Sequence, residues 1–235
     1  MPAEDLIEKY YASIPSGERV LATLIQAAIA EKRFPILDAG CGSKAKWIRR
    51  FGDCGQIVGI DLDSQYPPGL PITRGNLGKL PFPDALFSFV FSRSVFEHLD
   101  EPTGVLDEFY RVLKPGGRCA ILTPNFYDYS SIVAWMTPHA FHRIFLSKVY
   151  GPCSYDPFPV LYRANTPGFF RKYAQRSNRW KVIRISGLRH YPANLSFSRT
   201  LFRVGVLYDK FLATVKWTAL QPSLLVVLEK TTAPR

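Results

Sequence analysis

In the stretch "FPILDAGCGSKAKWIRRF", Phe34 to Phe51, a carboxylate, two glycines and a small residue stand at a spacing that can receive a nucleotide-type ligand. Glycines between a strand and a helix let the backbone approach a ligand closely at the carboxyl edge of a sheet. Read as GxGxxA, Gly40, Gly42 and Ala45 match a dinucleotide turn, and Asp61 follows at the separation of a ribose-binding acid. Pyrophosphate would then sit at the helix N-terminus, where Lys44 and Lys46 suit it. Asp38 argues otherwise. Its carboxylate, two residues before the first glycine, would face that pyrophosphate across a short distance. It favours a ligand bearing an ammonium and a sulfonium.

The elements that must position these groups follow from periodicity. "FPILDA" and "QIVGIDL" read as short buried strands with the helical "KAKWIRRF" between them. "LPITRGN" is a weaker strand, "LFSFVFSRS" is β-rich, and "GRCAILTPN" is a further strand. Before that last strand, "GVLDEFYRVLK" is an amphipathic helix that "PGG" should stop. Strands alternating with helices predict an α/β domain with a parallel sheet and helices on both faces. Two helices open the chain, "AEDLIEKYYASI" and, behind a Ser16 cap, "SGERVLATLIQAAIAEK". After Asn125 the pattern loosens into aromatic, helix-prone pieces. The strands "WKVIRISGLRH" and "PSLLVVLEK" then flank a helix, "SFSRTLFRVGVLYDKFLAT", that carries both apolar and basic residues. No repeat or clear linker divides the chain. It reads as one domain: a helical cap at 1–33, a cofactor-binding core at 34–125, and substrate-side helices with the last two strands at 126–235.

At this point a family resemblance is specific. "ILDAGCGS" with "IVGIDLD" resembles the first two motifs of class I S-adenosylmethionine-dependent methyltransferases. "GNLGKLPFPDALFSFVFSRSVFEHL" resembles the third strand end, loop and fourth strand of their small-molecule and lipid branch, and "EFYRVLKPGGRCAILTPN" the next helix and fifth strand. The resemblance covers residues 34–125. It implies a Rossmann-like, doubly wound sheet, mostly parallel with an antiparallel last strand, and extra helical cap elements. The implied cofactor is S-adenosyl-L-methionine, leaving as S-adenosyl-L-homocysteine. By the same resemblance Asp38, Gly40, Cys41 and Gly42 line the methionine part, and Asp61 takes the ribose hydroxyls. Leu62 sits beside the adenine, Asn76 and Leu77 meet its edge, and Ser92 and Arg93 lie by the sulfonium. The chain departs from the pattern at Lys44, a frequent glycine, at Asn76, usually Asp, and at Ser88, usually the Asp of "FD".

A hydroxyl acceptor would need a base to take its proton, and His98, His139 and His142 are the candidates. No metal centre is expected, since no third ligand accompanies the His pair and the four cysteines form no CxxC. The formal net charge of +11 falls on residues 126–235, where only Asp128, Asp156, Asp209 and Glu229 are acidic. This basic, aromatic half suits a hydrophobic or anionic small-molecule or lipid-like acceptor, with peripheral membrane contact as a further expectation and nucleic acid ranked behind it. Methyl transfer to an oxygen is the first expectation. An RNA or tRNA methyltransferase, a non-catalytic relative and an NAD-dependent oxidoreductase are the alternatives. The start "MPAEDLIEKYYAS" has acids and no uninterrupted apolar core, and "VLATLIQAAIA" is too short to span a bilayer, so a cytoplasmic protein is expected.

Overall fold

The structure, a computed structural model, describes residues 4–54, 56–63, 65–66, 68–136 and 159–232. Its strands are β1 (Ile36–Ala39), β2 (Ile57–Asp61), β3 (Ile72–Arg74), β4 (Phe87–Arg93), β5 (Leu113–Pro124), β6 (Trp180–Leu188) and β7 (Ser223–Lys230). Its helices are α1 (Glu4–Tyr11), α2 (Gly17–Ala30), α3 (Lys46–Phe51), α4 (Pro102–Val112), α5 (Tyr129–Met136), α6 (Pro167–Ser177) and α7 (Arg199–Thr214). The strands join in the order β3-β2-β1-β4-β5-β7-β6. The first five are parallel, and β7 lies antiparallel between β5 and β6. This is the Rossmann-like, doubly wound sheet with an antiparallel last strand.

Chain order reverses between β1 and β4, and in such sheets a ligand crevice opens beyond the strand ends at that reversal. All four residues of β1 are buried, because both faces of a parallel sheet are covered. On one face α2 and α3 pack Leu21, Ile25, Trp47 and Ile48. On the other, α4 and α6 bring Leu106, Phe109 and Phe170 against Phe96. A smaller cluster of Leu6, Tyr11, Phe202 and Val206 seats α1 on α7, which forms the helical cap.

Local chemistry accounts for the helix starts. Ser16 accepts the Arg19 N–H at 3.2 Å, and Thr166 accepts that of Phe169 at 3.2 Å with Pro167 next in line. The end of α4 differs from expectation. The helix stops at Val112 and β5 begins at once, so "PGG" lies within the strand. There the register with β4 jumps, pairing Phe87 with Leu113 and Phe89 with Arg118, as a bulge does. Ser88, the departure in "FD", fastens strand starts together. Its Oγ donates to the Phe34 carbonyl at 2.8 Å, and its N–H to that of Pro35 at 2.9 Å. Among the described residues no helix is long and apolar enough to cross a membrane.

Candidate active site

The glycine turn closes over the carboxyl ends of β1 and β2. Gly40 and Gly42 hold φ of +83° and +64°, which side chains resist. A Cβ on Gly40 would stand 2.3 Å from Val95 Cγ2, whereas nothing lies within 4 Å of one on Gly42. The backbone at Gly42 is thus open on the side where a ligand would lie. Asp61 braces the turn from the end of β2: Oδ2 accepts the Gly42 N–H at 2.7 Å and Oδ1 accepts that of Asp63 at 3.1 Å. Each oxygen keeps a second lone pair for a ligand hydroxyl.

Two buried polar atoms near this sheet edge have no partner. Asp38 pairs in register with Phe91, so Ser92, the next residue of β4, turns to the opposite face of the sheet, and both side chains are buried. Asp38 Oδ2 and Ser92 Oγ make no hydrogen bond. Leaving one such group unsatisfied costs about 1–3 kcal/mol, and native proteins rarely tolerate it without a purpose. Burial, and then the nearby Asp61 carboxylate, push Asp38 well above the usual carboxylate range, with Arg93 opposing them. A buried acid of this kind fits a cationic ligand head.

The remaining positions divide. Leu62 presents an exposed side chain beside Asp61, as an adenine neighbour would. Asn76 is exposed on the loop after β3, its Oδ1 accepting the Gly78 N–H at 2.8 Å. The Cys41 and Leu77 side chains are buried in the core clusters that border the turn. Arg93 does not point freely into the crevice but pairs with Glu18 of α2 at 2.5 Å. Glu18 also pairs with Lys46, and these two ion pairs outweigh its partial burial and hold it below the usual carboxylate range. The cap is thereby tied to the cofactor edge. Ala45 adopts the left-handed conformation with φ of 45°, so α3 begins only at Lys46 and without a side-chain cap.

His98 Nδ1 lies 2.9 Å from the Pro159 carbonyl, and the side chain lines neither of the two cavities described next. His139 and His142 lie outside the described residues. A cavity of about 220 Å³ opens beyond β5, β7 and β6, lined by Asp128, Tyr129, His190, Tyr191, Tyr208 and Leu212 among others. A second, of about 400 Å³, lies between α1 and the exit of β6 and shares His190 and Tyr191. His190 was not among the sequence candidates, because in "GLRHYPAN" nothing marks it. The fold brings it to the same sheet edge as Asp38. Its Nδ1 lies 2.7 Å from the Tyr191 carbonyl, a pure acceptor, so Nδ1 carries the proton and Nε2 a lone pair. The cap closes over these cavities through a buried cluster. Tyr11 Oη donates to Asp209 Oδ2 at 3.0 Å, while Arg189 Nη2 meets the same oxygen at 2.6 Å and Nε reaches it at 3.1 Å.

A Rossmann-like sheet with this turn, these two acids and an adjoining aromatic cavity defines a nucleotide-cofactor-binding fold. Residues 37–121 match the family described as a methyltransferase domain. Over those residues the chain carries a methyltransferase domain, and there it is similar to S-adenosylmethionine-dependent methyltransferases. A Mycolicibacterium smegmatis protein named as a probable S-adenosylmethionine-dependent methyltransferase is 34% identical over 103 residues, 40% of each chain. The sterol 24-C-methyltransferase of Saccharomyces cerevisiae is 26% identical over 231 residues, 87% of this chain and 57% of that one. The chain therefore spans less than two thirds of these relatives. Among solved structures, a Haemonchus contortus phosphoethanolamine N-methyltransferase bound to phosphomonomethylethanolamine and S-adenosylhomocysteine shares the fold. Its TM-score is 0.55 at 16% identity, over 98% of this chain and 57% of that one.

Proposed function

We propose that the chain transfers a methyl group to a hydrophobic, lipid-like acceptor, in the first instance to an oxygen. The observation that carries this reading is the pair of buried, unpartnered groups, Asp38 Oδ2 and Ser92 Oγ, on the same sheet edge as an aromatic-lined cavity. When bound, S-adenosylmethionine supplies an electrophilic methyl group on a sulfonium. Asp38 would hold the ammonium end, Asp61 the ribose hydroxyls and Leu62 one face of the adenine. Tyr129, Tyr191, Tyr208 and Leu212 would enclose the apolar body of the acceptor and exclude water. His190 Nε2 would take the proton of a hydroxyl acceptor. The sterol methyltransferase relatives support a lipid-like acceptor as a class; their acceptor atom is carbon by name.

Melting curves test the cofactor: S-adenosylhomocysteine should raise the melting point and NAD(H) should not. Labelled S-adenosylmethionine incubated with lipid, small-molecule and RNA fractions then tests the acceptor. Label should enter the lipid fraction, and entry into RNA alone would sink the reading. With an oxygen acceptor, His190→Gln should lower kcat by about 10²-fold or more at neutral pH and flatten the rise of rate with pH. An unchanged pH profile would remove His190 from this role.

A further inference from the structure

The helix α7 is apolar on both faces, for two separate reasons. Its inner face, with Phe202, Val206 and Leu212, packs under the cap and roofs the smaller cavity. The outer face carries Val204, Leu207 and Phe211 at 57%, 67% and 53% exposure, at the i, i+3, i+7 spacing that aligns side chains on one stripe. Just past the helix, Trp217 is 55% exposed and meets Phe211 edge-on, with ring centroids 6.1 Å apart. A contiguous stripe of large apolar side chains in water marks a contact surface.

The charges around the stripe name the partner. Arg203 and Lys210 run along one side of it on the helix, Lys210 with its ammonium 4.5 Å from the centroid of the Tyr10 ring, and Lys216 follows at its end, all three exposed. The one acid of α7, Asp209, is buried and held by Arg189, and Asp5 of α1 is held by Arg199. Glu4 and Glu8 line the neighbouring cavity. Exposed apolar residues with an indole at the edge and lysine or arginine beside them match the interface of an anionic bilayer.

We infer that the outer face of α7, with Trp217, docks the protein on an anionic lipid surface. The acceptor cavity then lies directly behind the docked helix, so an acceptor can pass from the bilayer without crossing water. The docking itself does not depend on the acceptor being a lipid.

Cosedimentation with phosphatidylcholine vesicles, with and without phosphatidylserine, tests it. The full chain should bind the vesicles that contain phosphatidylserine and bind neutral ones weakly. Leu207→Glu combined with Phe211→Glu should weaken binding by about tenfold or more. Arg203→Glu with Lys216→Glu should weaken only the anionic arm and remove its salt dependence. The melting-point rise with S-adenosylhomocysteine should persist in both variants, which separates lost docking from lost folding. Brominated phosphatidylcholine should quench tryptophan fluorescence in the full chain and much less in Trp217→Phe. Absence of vesicle binding, or equal binding by the Leu207/Phe211 variant, overturns the inference. So does a dimer that this variant splits, which would make a second copy the occupant. RNA binding lost in the charge variant without any vesicle binding would also overturn it.

Discussion

Asp38 and Asp61 look alike in sequence, each an acid at the end of a short strand, but they are spent differently. Asp61 already holds two backbone N–H groups, whereas Asp38 Oδ2 holds nothing. Asp61→Ala should therefore lower S-adenosylhomocysteine affinity by about 10- to 100-fold and also cost the unliganded protein about 1 kcal/mol, as Gly42 loses its brace. Calorimetric titration and urea melts would read the two effects separately. For Asp38 the sign is opposite. Its folded-state pKa is raised, so the unfolded chain ionises first as pH rises. Stability of the unliganded protein is then full below about pH 4 and falls as pH rises toward the folded pKa. Asp38→Asn should flatten that fall and stabilise the unliganded protein by about 1 kcal/mol at neutral pH, while reducing the response to S-adenosylhomocysteine. Urea melts from about pH 4 to about pH 8 check the slope. An unchanged slope would mean that Asp38 is not the buried charge responsible.

At the scale of elements, much was legible. Burial on both faces of the sheet leaves unbroken apolar runs, so "FPILDA", "QIVGIDL" and the antiparallel "PSLLVVLEK" announce their strands. The placement of Asp38, Asp61 and Ser92 toward strand ends was legible for the same reason, since each follows such a run. What could not be read was decided by contacts remote in sequence. The Leu77 and Cys41 side chains are buried in core clusters, and Arg93 was captured by Glu18 of a helix far upstream. His190 reaches the cavity only because β6 lies beside β7 at the end of the sheet. Gly187 gives a test of that placement. A Cβ there would fall 1.8 Å from the Thr218 carbonyl oxygen, a backbone atom that cannot step aside alone. Gly187→Ala should cost about 3 kcal/mol or more, seen as a lowered urea midpoint, and should displace the β6 exit that carries His190. Near-neutral stability would mean that this crossing is looser than it stands.

Across the whole molecule, the lopsided charge of the chain is partly folded back on itself. Basic residues of the second half meet acids of the first: Arg163 with Asp100, Arg179 with Asp107, and Arg199 with Asp5. These pairs tie the basic half of the chain to the acids of the first half. The buried cluster of Tyr11, Asp209 and Arg189 is the inner counterpart of those pairs. Burial, and then the Asp209 carboxylate, push the Tyr11 hydroxyl above its usual range, so it remains a donor at neutral pH. Tyr11→Phe should cost about 0.5–1.5 kcal/mol and speed tryptic cleavage after Lys9, because α1 would open more often. A cleavage rate equal to that of the parent chain would show that other contacts hold α1. The same cluster has a consequence for synthesis. The first helix of the chain finds its seat only on a helix completed about 200 residues later, since Tyr11 and Asp209 are 198 positions apart. Until the ribosome has released that later helix, α1 has no apolar partner to cover Leu6 and Tyr11. Made well before its partner helix, α1 is thus among the last of these elements to settle, and the growing chain must carry it exposed across the 198 positions between them.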